Sequence, residues 1–520
     1  MRLLPFLLLI VSASVLAAQV NGPSEAADLV LSTMMLDMER VEVRVFPAIL
    51  EEGSIVGAWS YPGVFVPFQS YLVLVDDFAL ANWEHPCRWV FVSPQGDVRM
   101  ERMTVPPDFY ARMSVEFSSL PDISNLLRGQ YEDFIAWFQP NVQSTPEQAQ
   151  QMYAWIISGG ANQGNNHIRY YGDVQFIYNV LVHDYLIPED HIIVCFADGT
   201  NPAPDQSGGL NSNPDFDDDG DTDINYDATT AGVTSGYNAI AGMVGPDDHL
   251  FVFTTDHGGQ GKTGGKLPVE VHLNLWNATL NDDDFMTMLN GISAASIHVV
   301  MEQCFSGGFQ QEVIHAGADQ PRTFASAANA SESSWAGNTY PQYDEYVYFW
   351  TGAVHGSRPA GGSYPAGALP GNPDLNSDGY ISMWEAHDRA KAWDYYAQSG
   401  QEHPQWDDLP DSCGELYFLG GPILVGTEDF FVEVLPATGL RISVNPVSSG
   451  ATVSFHMNTT AVAELQVLDL AGRVVNTVLS GIVQSGNQSV LVDFSDRPSG
   501  IYLLRLSTEG SVQTLKLVRF

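Results

Sequence analysis

Two short apolar runs, each ending in a reactive side chain, constrain this chain more than any other feature. Ser296 to Gly308 reads S-I-H-V-V-M-E-Q-C-F-S-G-G, an apolar run broken by Glu302, Gln303 and Cys304 and followed by glycines. Asp248 to Gly259 reads D-H-L-F-V-F-T-T-D-H-G-G and ends in Asp256 and His257, again before glycines. Short runs rich in Val, Ile and Phe mark strands buried on both faces of a parallel sheet. In open parallel sheets, ligands bind beyond the carboxyl ends of the strands. The two runs therefore deliver a base and a nucleophile to one sheet edge.

The surrounding sequence alternates in the same sense. M-Y-A-W-I-I-S-G-G, from Met152, reads as a strand entering a glycine turn, and H-I-I-V-C-F-A-D and R-T-F-A-S-A-A-N as further strands. Asp173 to Tyr185, Thr229 to Val244 and Asp282 to Leu289 fit the intervening helices. This pattern predicts an α/β sandwich with a largely parallel sheet over residues 149–425. Ahead of it, residues 19–148 carry V-E-V-R-V-F, S-Y-L-V-L-V and R-W-V-F-V-S-P-Q-G-D-V-R-M, which suit a β-rich domain. That domain is either an accessory module or a pro-segment covering the site. After a linker at 426–438, residues 439–520 alternate over six short runs. Their spacing predicts a small immunoglobulin-like β-sandwich.

Charge narrows the class of partner. With 21 Lys+Arg against 62 Asp+Glu the net charge is -41, which disfavours nucleic acid and anionic membrane. Met1 to Ala18 has the form of an export signal: Arg2, an apolar core from Leu3 to Val11, and small residues at its end. No later stretch is long and apolar enough to span a bilayer. Of the four cysteines, Cys195 reads as a core residue of its strand. Cys87 and Cys413 are free to pair in an oxidising compartment, and their spacing leaves the question open.

Thiol catalysis needs a nucleophile, a base and donors for an oxyanion. Cys304 and His257 fit the first two roles, and the amides of Gly258 and Cys304 the third. The glycines that follow allow backbone to approach a substrate carbonyl.

T-D-H-G followed by E-Q-C-x-S-G resembles the legumain family of caspase-like cysteine peptidases. The likeness extends to A-W-I-I-S-G-G with I-R-Y-Y-G-D-V, and to A-A-N-A-S-E-S-S at 327–334. The resemblance implies a caspase-like α/β/α sandwich and cleavage of protein or peptide substrates after Asn; protonation of Glu302 or Asp344 at low pH would admit Asp as well. It also implies a pocket of Arg169, Glu302 and Asp344, lined by Ser333. A carboxamide needs both donors and acceptors, and an Arg with two carboxylates offers both. Asn166 or His167 is the expected partner that orients His257. The competing enzyme readings are a gingipain-like protease cutting after Arg or Lys, and a transamidase. The non-enzyme reading is a cell-surface binding protein with an inactive peptidase fold.

D-L-N-S-D-G-Y-I-S-M-W-E matches an EF-hand loop, with Asp374, Asn376, Asp378, the Tyr380 carbonyl, Ser382 and Glu385 as ligands of a structural Ca2+. D-F-D-D-D-G-D-T-D has the same start and offers Asp215, Asp217, Asp219, Asp221 and Asp223, without a Glu at the twelfth position. Near the end, Gly500-Ile501-Tyr502 through Leu506, then Lys516 to Arg519, resembles the sorting domains of type IX secretion. This likeness implies that machinery as a partner, and a secreted or cell-surface destination.

Overall fold

The computed structural model describes residues 19–34, 41–58, 61–118, 124–261, 270–315, 320–337, 342–361, 365–423, 437–442, 447, 450–457, 460–469, 473–495, 497–498, 500–508 and 511–519. The export signal at 1–18 lies outside them, as does the linker expected at 426–438 as far as residue 436. The chain forms two compact units, Met1–Ile423 and Leu424–Phe520. No helix among the described residues is long and apolar enough to cross a membrane.

A six-stranded sheet organises the first unit. Its order is Gln405–Leu409, Arg322–Ser326, Ser296–Met301, His249–Thr254, Met152–Ser158, Ile192–Phe196. All neighbours run parallel except Gln405–Leu409 at the edge, which is antiparallel. Successive side chains point to opposite faces, so each run feeds two cores. Phe251 and Phe253 join Val174, Ile177, Val347 and Phe349, from the helices Ile168–Asn179 and Glu345–His355. Leu250 and Val252 join Val233, Ile240 and Phe285, from Thr230–Met243 and Asp282–Asn290. Helices on both faces make an α/β sandwich with a mostly parallel sheet.

One helix departs from expectation. Asp173 to Tyr185 was expected from an amphipathic pattern, but the helix runs Ile168–Asn179 and passes into a π-helical turn, Val180–Asp184. Arg169 through Asn179 are all buried, so its start carries no apolar–polar alternation to read.

An antiparallel sheet precedes the sandwich, in the order Val98–Met103, Cys87–Val92, Tyr71–Asp76, Glu42–Val45, Ser114–Ser118. One face packs Val43, Val73 and Val90 against Ala26, Ala27 and Val30 of the helix Pro23–Thr33. The other buries Leu72, Leu74, Trp89 and Phe91. This sheet belongs to the same compact unit as the sandwich. Phe134 and Phe138 pack in the sandwich core, which therefore begins upstream of residue 149. Cys87 and Cys413 are both free and buried, their thiols donating to the carbonyls of Val105 and Arg322 at 3.4 Å.

The second unit has a three-stranded and a four-stranded sheet, both antiparallel, closed over one core that includes Val453, Phe455, Leu465, Val467, Leu504 and Leu517. Val474–Val483 is a strand beyond the six read from the sequence.

Candidate active site

Thr254 pairs with Met301 at the ends of the two central strands. The chain segments that follow therefore leave the sheet side by side, one carrying His257 and the other Cys304. Only glycine fits at position 258: a Cβ there would lie 2.2 Å from the Cys304 carbonyl oxygen. His257 and Cys304 are both fully buried.

The connection between the N-terminal strands Tyr71–Asp76 and Cys87–Val92 lies against them, its Trp83 amide donating to His257 Nδ1. Leu80 to Glu84 lies along residues 333–336 as an added antiparallel strand. Ala81 bridges to Trp335, the Ala336 amide donates to the Leu80 carbonyl at 2.8 Å, and the Asn82 amide donates to the Ser334 carbonyl at 3.0 Å. The Asn82 side chain then enters a closed pocket. Its Oδ1 accepts from Arg169 Nε (3.1 Å), from Arg169 Nη2 and from the Tyr170 hydroxyl (2.8 Å). Its Nδ2 donates to Ser334 Oγ (2.9 Å) and Asp344 Oδ1 (3.3 Å). Arg169 Nε also lies 2.9 Å from Asp344 Oδ1. Both halves of the carboxamide are thus read, acceptor by cation and donor by carboxylate.

Asp344 is free for this task because another residue does its local work. It occupies the N-cap of Glu345–His355, where Asp ordinarily accepts an amide from the first turn. Here Glu302 Oε2 accepts the Val347 amide instead, at 3.1 Å. Behind the pocket, the Asp344 amide donates to Asp173, and the Thr255 hydroxyl to Asp173 at 2.8 Å. Burial pushes both carboxyls up, and Arg169 opposes this at Asp344.

At His257, Nδ1 accepts the Trp83 amide (3.0 Å) and Nε2 faces the Asn165 carbonyl (3.0 Å). A carbonyl can only accept, so the partners assign the proton to Nε2 and leave Nδ1 basic. Nδ1 thus faces the amide nitrogen that follows Asn82. Burial and the Arg169 charge lower the imidazole's affinity for a second proton. Burial also raises the Cys304 thiol to about 12, opposed by hydrogen bonds from Ser334 and Ser333. With the segment in place, burial disfavours charge on both nucleophile and base. The Gly258 amide donates to the Trp83 carbonyl at 3.3 Å.

Arg169, Asp344, His257 and Gly258 all contact the Asn82–Trp83 segment, and Cys304 Sγ lies 3.9 Å from Ser334 Oγ. Glu302 is fully buried: its Oε2 accepts the Val347 amide, its Oε1 has no hydrogen-bond partner among the described residues, and burial, Asp344 and Asp173 all raise its carboxyl. The Ser333 hydroxyl donates to the Glu84 carbonyl at 2.8 Å and adjoins the Cys304 thiol, while Ser334 meets the carboxamide. Neither the Asn166 side chain, which donates to the Asp205 carbonyl, nor His167, with its ring 5.5 Å from that of His257, is the hydrogen-bond partner expected for His257. The backbone of Asn165 takes that place. Sequence reading missed Asn82, Trp83, Tyr170 and Ser334.

Both acidic loops are formed. Gly379 has φ +90°, and the carboxylates of Asp374, Asp378 and Glu385 accept amides of their own loop. Asn376 Oδ1 accepts the Asp378 amide, and Ser382 and Glu385 form a reciprocal cap on the following helix. In the other loop, carboxylate oxygens of Asp215, Asp217 and Asp223 lie within 4.8 Å of one another, as do those of Glu189, Asp217 and Asp219. Asp221 is in neither group. The Asp217 oxygens are buried without hydrogen-bond partners; His183 lies 3.1 Å away in an ion pair. An all-oxygen set converging on a buried carboxylate fits a hard divalent cation.

Residues 152–351 match the Peptidase C13 family, and residues 445–519 match the secretion system C-terminal sorting domain. The vacuolar-processing enzyme beta-isozyme of Arabidopsis thaliana is 26% identical over 232 residues, and the vacuolar-processing enzyme of Vicia sativa 29% over 213. These stretches cover 40% and 37% of this chain, which spans 45% and 41% of those relatives. A solved structure of a Geobacter sulfurreducens protein aligns with 51% of this chain and 96% of its own, at 12% identity and a TM-score of 0.31.

Proposed function

We propose that this chain, which carries a legumain-type Peptidase C13 domain and a C-terminal secretion sorting domain, is an exported cysteine endopeptidase that cleaves after Asn. The observation that carries this reading is the Asn82 carboxamide held between Arg169 and Asp344 beside Cys304 and His257.

The substrate lies along residues 333–336 as an added strand, with its Asn in the pocket. Cys304 Sγ attacks the Asn carbonyl carbon, and His257 Nδ1 takes the thiol proton. The Gly258 amide, joined by that of Cys304, holds the oxyanion; one such donor is worth roughly 10²–10³ in rate. The C–N bond then breaks and His257 returns the proton to the leaving amine. Water, deprotonated by the same imidazole, releases the Asn-ended product from the thioester. The sorting domain directs the chain to type IX secretion, and so to the cell surface or medium.

A gingipain-like preference is disfavoured, because a substrate Arg or Lys would bring its charge against Arg169. A substrate Asp would set a carboxylate against Asp344, so its cleavage requires a proton on one of the two and rises as pH falls. Peptides differing only in Asn, Asp, Arg or Lys before the cut test this. Asn preferred near neutrality, with Asp gaining in acid, is expected; Arg or Lys preferred would overturn it.

Ca2+ is the structural metal of this reading. Asp374, Asn376, Asp378, Tyr380, Ser382 and Glu385 would hold one ion, and Asp215, Asp217 and Asp223 another. Both loops brace the sandwich and take no part in bond cleavage.

A further inference from the structure

Asn82 occupies the pocket as a substrate residue would, yet the bond after it is out of register with the donor that would activate it. The Asn82 carbonyl accepts from His85 Nδ1 at 2.9 Å, and His85 Nε2 lies 2.9 Å from Asp76 Oδ1 at the end of the preceding strand. The His85 ring stacks on Trp83, with centroids 3.9 Å apart and planes 13° apart. The Gly258 amide, one of the two donors for an oxyanion, is directed one residue further on, to the Trp83 carbonyl. The amide nitrogen after Asn82 does face His257. The segment is thus seated by its side chain and added-strand bonds, while its carbonyl is turned away from the Gly258 amide.

We infer that Ala81 to His85 is a built-in competitor of the substrate: Asn82 fills the specificity pocket, and His85, braced by Asp76, keeps the Asn82 carbonyl off the Gly258 amide so that the segment is bound and not cut. This rests on the proposed Asn-cleaving function and adds that the chain is latent while its N-terminal sheet is attached. Opening the site means withdrawing this connection or severing it. His85 is a positioning residue, acting through the Asn82 carbonyl and never on the substrate.

Three measurements on the full chain test it. Asn82→Ala removes five side-chain contacts and leaves the Arg169–Asp344 pair intact. Because hydrogen bonds to charged groups are worth about 1.5–3 kcal/mol, cleavage of an Asn peptide should rise roughly tenfold to hundredfold over wild type. Asn82→Asp keeps the shape but sets a carboxylate against Asp344, and should release activity in the same direction at neutral pH. His85→Ala frees the carbonyl, and intact mass should show the chain splitting between Asn82 and Trp83. That split should be absent in His85→Ala with Cys304→Ala.

If wild type cleaves the Asn peptide as fast as both Asn82 variants, the segment is no competitor, and the Asn-cleaving reading survives. If the His85 variant stays whole while its peptide cleavage is unchanged, the positioning role falls. If the Asn82 variants open to a small thiol reagent but cleave no Asn peptide, the proposed function itself fails. A synthetic Leu80-to-His85 peptide added to the Asn82→Ala chain should inhibit it, and lack of inhibition overturns the proposal without depending on how any variant folds.

Discussion

The Asn82 carboxamide oxygen accepts two hydrogen bonds from the Arg169 guanidinium, inside a pocket that the sequence neighbours of Asn82 do not foretell. The two residues belong to the N-terminal sheet's connecting segment and to the first turn of a sandwich helix. Their meeting makes the chain's own side chain a probe of what its pocket accepts.

Arg169 offers a planar fork, and lysine a single point donor. Arg169→Lys in the Asn82→Ala chain should lower kcat/KM for an Asn peptide by roughly tenfold to hundredfold, from the loss of one charged hydrogen bond. Steady-state rates measure this. An unchanged value would remove Arg169 from substrate recognition.

Glu302 Oε2 caps a helix start, and its Oε1 has no hydrogen-bond partner among the described residues. Glu302→Gln keeps an acceptor for the Val347 amide, so Asn-peptide kcat/KM should stay within a few-fold. The same substitution should flatten the pH dependence of stability. Burial raises the Glu302 carboxyl, with Asp344, Asp173 and Asp394 adding to the shift. The folded chain therefore holds this proton more tightly than the unfolded chain. Its stability contribution is full below the ordinary Glu pKa and is lost as pH rises through the raised value. Thermal unfolding of both proteins across pH reads the difference. A large fall in kcat/KM would assign Glu302 to the pocket.

Chelation tests the acidic loops independently of catalysis. A ligand at about a hundred times its Kd adds about 2.7 kcal/mol to stability, which in a unit of this size is several degrees in Tm. EDTA should lower Tm, added Ca2+ should restore it, and Glu385→Gln or Asp217→Asn should each remove part of that restoration. A Tm indifferent to calcium would leave both loops as solvated turns.

Much of this arrangement was legible because it follows from chain periodicity. Uninterrupted apolar runs ending in glycine located the strands that carry His257 and Cys304, since a strand buried on both faces needs such a run. The rest depended on contacts with no local signature. Asn82 and Ser334 stand 252 positions apart, and F-A-L-A-N-W-E-H carries no period that marks an added strand. The partner of His257 is a backbone carbonyl, which any residue at 165 would supply. Glu302 stands two residues before Cys304, and the use of its Oε2 by a helix start 45 positions on has no local signature either.

The most direct test of the central claim is kcat/KM of the Asn82→Ala chain on peptides differing only in the residue before the cut, with Cys304→Ala as the control. Cleavage after Asn at least about a hundredfold faster than after Arg, Lys or Ala, and none with the Cys304 variant, is the expected result. Equal rates, a preference for Arg or Lys, or turnover that survives loss of Cys304 would contradict the account.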